Sequence, residues 1–401
     1  MKYENIPLCR SSQYVLAKGQ KMLRYGLPEV LAGRGSLSEL PAKLKNDGVN
    51  KPMIVAGKTV SKNGILDGLL SSLENYGVEY IIFDGAAPNP TIDNVEDAVT
   101  MYNDNNCDCI IAVGGGSSMD CAKITAARLA RPNKSVEDLK GTLKVRKKTP
   151  LLYTAPTTAG TGSETTIAAV VVNKETQHKY AVMDPVLLPH MAVLDPELTV
   201  SMPKSVTAAT GMDALTHAVE AYINLYGQKV AYDYAKDAVK LVFENIKDAY
   251  EDGTNIEARE NMLKASWLAG AAFTRNCVGY VHAIGHPLSG MYNLPHGQVM
   301  GSLLPVVLRA YGPIVYPKLA ELGSLVGIAG KNDEMVAKKF IKTIETMNEE
   351  MGLPKKFHMI EYEHIGKMAD FAIKESNMTY PTPSIWSKKK IMQVYKYMQG
   401  E

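Results

Sequence analysis

Cys109-Ile110-Ile111-Ala112-Val113-Gly114-Gly115-Gly116-Ser117-Ser118-Met119-Asp120-Cys121-Ala122-Lys123 is the stretch that decides the fold. Its opening residues are an apolar run rich in β-branched side chains, the pattern of a strand buried on both faces. Three glycines follow at once, and then an alanine-rich segment suited to a helix. A strand that breaks on glycines into a helix is the layout of a phosphate cradle. Without Cβ atoms the backbone amides can approach a pyrophosphate, and the helix N-terminus adds unpaired N–H groups and the positive end of its dipole. The pattern is not the G-x-G-x-x-G fingerprint, so by itself it fits a tight strand-to-helix turn equally well.

Working outward, residues 52–57 and 79–84 read as strands before this one, and 151–155 and 191–196 as strands after it. Residues 67–76 and 95–105 have helical spacing between them. Strand, helix, strand without a hairpin signal argues for a parallel sheet covered on both faces, a Rossmann-like α/β domain. Residues 168–173 and 179–183 flank a polar turn and are expected to pair as a hairpin. Pro156-Thr157-Thr158-Ala159-Gly160-Thr161-Gly162-Ser163-Glu164 leaves another strand and offers small hydroxyls and backbone donors. Two donor-rich loops at strand carboxyl ends point to a dinucleotide. Beyond about residue 195 the β signals fade and the chain reads as helical, with breaks at Pro287, Pro295, Pro305, Gly312 and Pro354. The expected division is an α/β dinucleotide-binding domain over 1–197, including an N-terminal extension over about 1–28 with helical spacing at 16–25, and an all-α domain over 198–401.

Composition narrows the function classes. Among 401 residues, 46% are hydrophobic and 44 Lys+Arg oppose 42 Asp+Glu, so a net charge of +2 gives no general attraction for nucleic acid or an acidic membrane. No run reaches the ~18 apolar residues of a membrane span, and the first residues lack the apolar core of a secretory signal. Five thinly spread cysteines fit free thiols in a reducing cytoplasm.

The histidines carry the second chemical signal. Asp213 and His217 are four apart, which on a helix places a carboxylate and an imidazole on one face. His282, His286 and His296 follow. Asp213, His217, His282 and His296 together supply one carboxylate and three imidazoles, a set suited to Fe²⁺ or Zn²⁺ rather than Mg²⁺ or Ca²⁺. Four protein ligands close a tetrahedral zinc site, whereas catalysis needs an ion that takes a further ligand, which favours Fe²⁺. The spacing of His282 and His286 also suits a metal pair, but Pro287 is expected to end any helix there. A single Asp-x-x-x-His is otherwise an ordinary ion pair or core contact.

These motifs, in this order and spacing, resemble the iron-containing (group III) alcohol dehydrogenases from Gly33-Arg34-Gly35 through most of the C-terminal half. Gly114 to Lys123 is similar to the family's G-G-G-S-x-x-D-x-x-K, and Pro156 to Glu164 to its P-T-T-A-G-T-x-x-E. Gly211 to Glu220, His282-x-x-x-His286-Pro287 and Asn293-x-Pro295-His296-Gly297 look like its metal signatures. The resemblance implies Asp213, His217, His282 and His296 as metal ligands. It implies cofactor contacts from Gly115, Gly116, Ser117, Asp120, Thr157, Thr158, Thr161 and Lys179, with Asn89 beside the phosphate loop. It also places His286 near the substrate, where an imidazole can relay the proton released by an alcohol. The implied activity is reversible NAD(P)-linked hydride transfer between a small alcohol or diol and its aldehyde. The metal would serve as Lewis acid, and the enzyme would be a homo-oligomer, a dimer or larger.

The chain departs from the family's pattern at two places. Relatives that prefer NAD tend to carry Asp after the first strand; here that position is Gly57, with Lys58 and Lys62 close by, so NADP is expected to be favoured over NAD. Tyr380-Pro381-Thr382 stands where many relatives have Asn-Pro-Arg, in a segment that frames the family's substrate cavity. The alternatives are a glycerol-dehydrogenase- or dehydroquinate-synthase-like zinc enzyme of the same fold, and a non-catalytic metal and nucleotide sensor.

Overall fold

The structure, a computed structural model, describes residues 2–23, 25–175 and 178–400. The chain resolves into two compact units, dividing between Met202 and Pro203.

The first unit is built on nine strands: β1 (Glu29–Ala32), β2 (Pro52–Val55), β3 (Ile81–Phe83), β4 (Cys109–Gly114), β5 (Gly141–Thr142), β6 (Leu151–Pro156), β7 (Ala168–Asn173), β8 (His178–Met183) and β9 (Met191–Leu194). Six of them form a wholly parallel sheet in the order β1-β9-β6-β4-β2-β3. The decisive strand lies inside this sheet, flanked by β2 and β6, and every residue of β4 is buried. Its side chains alternate between two cores. Ile110 and Ala112 pack with Val95, Ala98, Met119 and Ala122 on one face, while Cys109, Ile111 and Val113 pack with Leu40, Leu44, Leu69 and Leu73 on the other. Burying each of the larger side chains is worth about 1.5–3 kcal/mol, so an uninterrupted apolar run is what a two-faced strand requires.

The expected hairpin is present: β7 and β8 pair antiparallel in a small second sheet, β5-β8-β7, although residues 176 and 177 of the turn lie outside the described residues. Two strands carry no clear sequence signal. β1 is short and mostly exposed and gains its partner from the distant β9, and β5 has only two residues.

The second unit is helical. Its central helix, Lys204–Ile223, is buried along nearly its whole length from Thr207 onward, which explains why its sequence shows little amphipathic contrast. The helices Lys229–Glu251, Ile256–Asn276, Tyr280–Tyr292, His296–Tyr311, Tyr316–Leu325, Asp333–Glu350, Tyr362–Ser376 and Lys388–Gln399 complete it. The N-terminal helix runs from Ile6 to Met22, longer than its spacing suggests, because Asn5 caps it by accepting from the Leu8 N–H. It clusters with the helical unit rather than with the α/β unit that follows it in sequence.

Two prolines expected to break helices do not. Pro287 lies inside Tyr280–Tyr292, and Pro305 inside His296–Tyr311. A proline removes one donor and crowds the preceding turn. Here the flanking turns are fixed by burial of Val281 to Gly285 and Leu288, and of Val299 to Leu304 with Val307 and Leu308, so each helix continues past the defect. Pro295 and Gly312 do act as boundaries. The helical run His296–Leu325 is long and apolar enough to cross a membrane by composition, but 61% of its most apolar window is buried inside the fold, as in a core helix.

Candidate active site

In the helical unit, the four candidate ligands come from three helices. Asp213 and His217 stand one turn apart on Lys204–Ile223, His282 lies in the first turn of Tyr280–Tyr292, and His296 opens His296–Tyr311. Asp213 is the hub. Its Oδ1 lies 3.7 Å from His282 Nε2 and 3.6 Å from His296 Nε2, and its Oδ2 lies 4.0 Å from His217 Nδ1. Ligands about 2.1 Å from one cation stand about 3.4 Å apart in a tetrahedron, close to these separations. Ligand atoms of Asp213, His217 and His282 lie within 4.8 Å of one another, and His296 approaches the group through Asp213. Gly297 lets the helices meet: a Cβ there would lie 2.8 Å from the Ala209 carbonyl carbon.

Asp213 Oδ1 and His282 Nε2 are buried and have no hydrogen-bond partner. Burying a carboxylate oxygen and an imidazole nitrogen without partners is costly unless a cation completes them, so the residues fit a metal ion. Burial raises the Asp213 carboxyl's pKa, but His217, His296 and His282 overcome that and hold it well below the usual carboxylate range. Burial lowers the His282 imidazole, yet Asp213 and Glu220 outweigh it and lift its pKa to about 9.

Two carboxylates that the sequence reading did not assign hold the imidazoles in place. Glu220, 1% exposed, lies 2.6 Å from His282 Nδ1, accepts from Gly279 N–H at 2.9 Å and from Val281 N–H at 2.6 Å. It therefore caps the helix that carries His282 and directs Nδ1–H toward itself, leaving Nε2 for the cation. Its signal was the His217-Ala218-Val219-Glu220 spacing, which sets Glu220 one turn beyond a ligand on a buried helix. Glu375, from Tyr362–Ser376, lies 2.7 Å from His286 Nδ1; no local pattern marks it. His286 is not among the close group around Asp213. Its ring stacks on His296, with centroids 5.4 Å apart, and meets His282 edge-on at 5.7 Å.

In the α/β unit, the two donor-rich loops leave adjacent strands, with Gly114 of β4 in register with Pro156 of β6. Gly114 has φ 151°, and a Cβ there would fall 2.8 Å from Ser118 Cβ, so the sharp exit from β4 requires glycine. Gly115 and Gly116 back onto Thr158 and Thr161: a Cβ on Gly116 would lie 3.0 Å from Thr161 Cγ2. Thr157 N–H donates to the Gly114 carbonyl at 3.0 Å. At the edge of this cradle Ser117 Oγ accepts from the Asn89 N–H at 3.2 Å, and Lys179 Nζ donates to Asn89 Oδ1 at 2.9 Å. Gly57 begins the short helix after β2, with Lys58 and Lys62 exposed beside it.

Asp120 has a different task from the rest. One of its oxygens accepts from Ser163 Oγ at 3.0 Å and the other from Val170 N–H at 3.1 Å, so it ties the threonine loop to β7. Lys123 assists from full burial, donating to the carbonyls of Ser163, Thr166 and Ala168.

The profile described as "Iron-containing alcohol dehydrogenase" matches residues 28–196, and "Fe-containing alcohol dehydrogenase family, C-terminal" matches 207–398. The chain is 35% identical over 384 residues to a 1,3-propanediol dehydrogenase of Klebsiella pneumoniae, covering 94% of this chain and 98% of that protein. It is 33% identical over 373 residues to an NAD-dependent methanol dehydrogenase of Bacillus methanolicus, covering 92% and 97%. A crystal structure of 1,3-propanediol oxidoreductase superposes with a TM-score of 0.90 at 34% identity, covering 94% of this chain and all of that one. These matches carry the alcohol or diol dehydrogenase reading rather than the zinc-enzyme or sensor alternatives. The chain belongs to the iron-containing alcohol dehydrogenase family.

Proposed function

We propose that the protein interconverts a small alcohol or diol and its aldehyde, with Fe²⁺ held by Asp213, His217, His282 and His296 and with NADP favoured over NAD. The observation that carries this is the pair of buried atoms Asp213 Oδ1 and His282 Nε2, which lie 3.7 Å apart without a hydrogen bond, at the spacing of two ligands sharing one cation. A divalent cation there supplies a Lewis acid for the oxygen of the alcohol or aldehyde. The residues of the chain do the rest. Gly115, Gly116, Ser117, Thr157, Thr158 and Thr161 line a backbone-donor cradle for the cofactor's pyrophosphate, bordered by Asn89 and Lys179. Asp120 keeps the cradle's two loops together. His286, hydrogen-bonded through Nδ1 to Glu375, has Nε2 left to accept the hydroxyl proton in oxidation and return it in reduction.

The cofactor preference rests on Gly57. Gly57 itself offers no carboxylate at the end of β2 to hold ribose hydroxyls or repel a 2′-phosphate, and Lys58 and Lys62 add positive charge. A reducing compartment, suited to five free cysteines, and a homo-oligomeric state belong to the same reading.

The test is metal analysis of anaerobically purified protein beside an A340 assay of C2–C6 aldehydes and alcohols with NADPH and NADH. The expected result is about one iron per chain and a higher kcat/KM with NADPH. Turnover unaffected by exhaustive metal removal would refute the metal role, and a large NADH preference would refute the cofactor choice.

A further inference from the structure

His286 is embedded in a hydrogen-bonded structure more elaborate than a proton relay alone needs. Glu375 Oε1, 2.7 Å from His286 Nδ1, also accepts from Tyr380 OH at 2.8 Å. Tyr380 belongs to the segment that departs from the family's Asn-Pro-Arg, and the N-terminal helix fastens that segment. Arg10 donates to the carbonyls of Thr382 at 2.7 Å and Pro383 at 2.9 Å. Ser12 donates to the Met378 carbonyl at 2.8 Å, and buried Gln13 to that of Asn377 at 2.9 Å. Arg10 is half-buried and the stretch 381–383 that it bonds is buried, so these bonds anchor the segment in which Tyr380 stands.

We propose that Glu375 is the positioning residue of His286: its carboxylate, oriented by Tyr380, fixes the imidazole as the Nδ1–H tautomer and sets its ring plane against His296. A neutral imidazole has one donor and one acceptor nitrogen, and a carboxylate acceptor at Nδ1 decides which is which. The same logic orients His282 through Glu220, so this unit uses one carboxylate for each of two neighbouring histidines. Glu375 touches no reacting atom in this scheme; it acts only through His286. The inference rests on the reading of His286 as proton relay for its effect on turnover, but not for the tautomer it assigns.

The test uses full-length protein loaded with diamagnetic Zn²⁺ and labelled with ¹⁵N-histidine, with the His286 signals identified by their loss in His286→Asn. In the neutral imidazole the wild-type Nδ1 is expected to carry a proton and Nε2 none. Glu375→Ala should lose the Nδ1 proton or mix tautomers. In steady-state assays, kcat should fall about 10- to 100-fold, the range for lost outer-sphere partners of an active-site histidine, with KM and metal content little changed. Glu375→Gln, which keeps a carbonyl acceptor, should recover most of the loss in both readouts. A wild-type signal protonated at Nε2 alone, or an unchanged signal in Glu375→Ala, overturns the assignment. If instead His286→Asn retains full turnover, the relay reading fails, while the spectrum still decides the tautomer.

Discussion

At the scale of single residues, the candidate metal centre shows why its supporting shell matters as much as its ligands. Glu220 performs two tasks with one carboxylate: it satisfies backbone donors that begin the helix Tyr280–Tyr292 and it orients His282. Its removal leaves buried N–H groups unpaired and frees the imidazole to present the wrong nitrogen. Glu220→Gln keeps one carbonyl acceptor, but its amide N–H must either face backbone N–H groups, which cannot accept, or donate to Nδ1, which leaves the ring proton on Nε2. We therefore expect Glu220→Gln to weaken metal retention about 10- to 100-fold, measured by competition with a calibrated chelator, and Glu220→Ala to do so more severely with a lower melting temperature. Wild-type retention in both variants would show that the hydrogen bond to His282 is incidental.

At the scale of elements, the turn that closes the threonine loop contains the clearest pH lever. Glu164 is 1% exposed, and neither of its oxygens has a hydrogen-bond partner in another residue. Burial pushes its pKa up from 4.5 to about 7, with only partial relief from its own backbone N–H and from Lys123. The folded state thus keeps a proton that the unfolded chain releases. The stability this contributes is complete below about pH 4.5, declines as pH rises to about 7 and is flat above, a loss on the order of 3 kcal/mol. Glu164→Gln cannot ionise and should lack that slope. Its melting temperature relative to wild type is expected to be several degrees higher at pH 8 than at pH 5, and an equal difference at both pH values would count against it. The elements themselves were largely legible. β4 announced itself because a strand buried on both faces must be apolar throughout, and the glycines after it because only they allow the exit turn and the contact with Thr161. What could not be read were features whose cause lies elsewhere in the chain. β1 exists through pairing with β9, Pro287 is tolerated through burial of its neighbours, and Glu375 meets His286 across 89 positions.

At the scale of the whole molecule, chain order and structural membership differ. The N-terminal helix is joined in sequence to the α/β unit, yet its side chains bond to the segment 377–383 of the helical unit. Gln20, at the other end of that helix, bonds to the Thr274 carbonyl. The candidate metal ligands all lie in the helical unit, and the glycine and threonine loops in the α/β unit. A ligand that binds only the folded state stabilises the elements it holds, by about 2.7 kcal/mol at a hundredfold excess over its Kd. Metal removal leaves Asp213 as a buried carboxylate facing His282, so the cost falls first on the three helices that supply the ligands. Hydrogen exchange should resolve this. Chelation is expected to speed exchange in peptides spanning 207–223, 280–292 and 296–308, and to do the same in the N-terminal helix only weakly, because its bonds go to backbone carbonyls outside the centre. Adding NADPH to the chelated protein should slow exchange in peptides spanning 109–123 and 156–166. Uniform loss of protection over 25–202 on chelation, equal to that over 204–311, would mean that the cation stabilises the chain globally rather than through the helices that bind it.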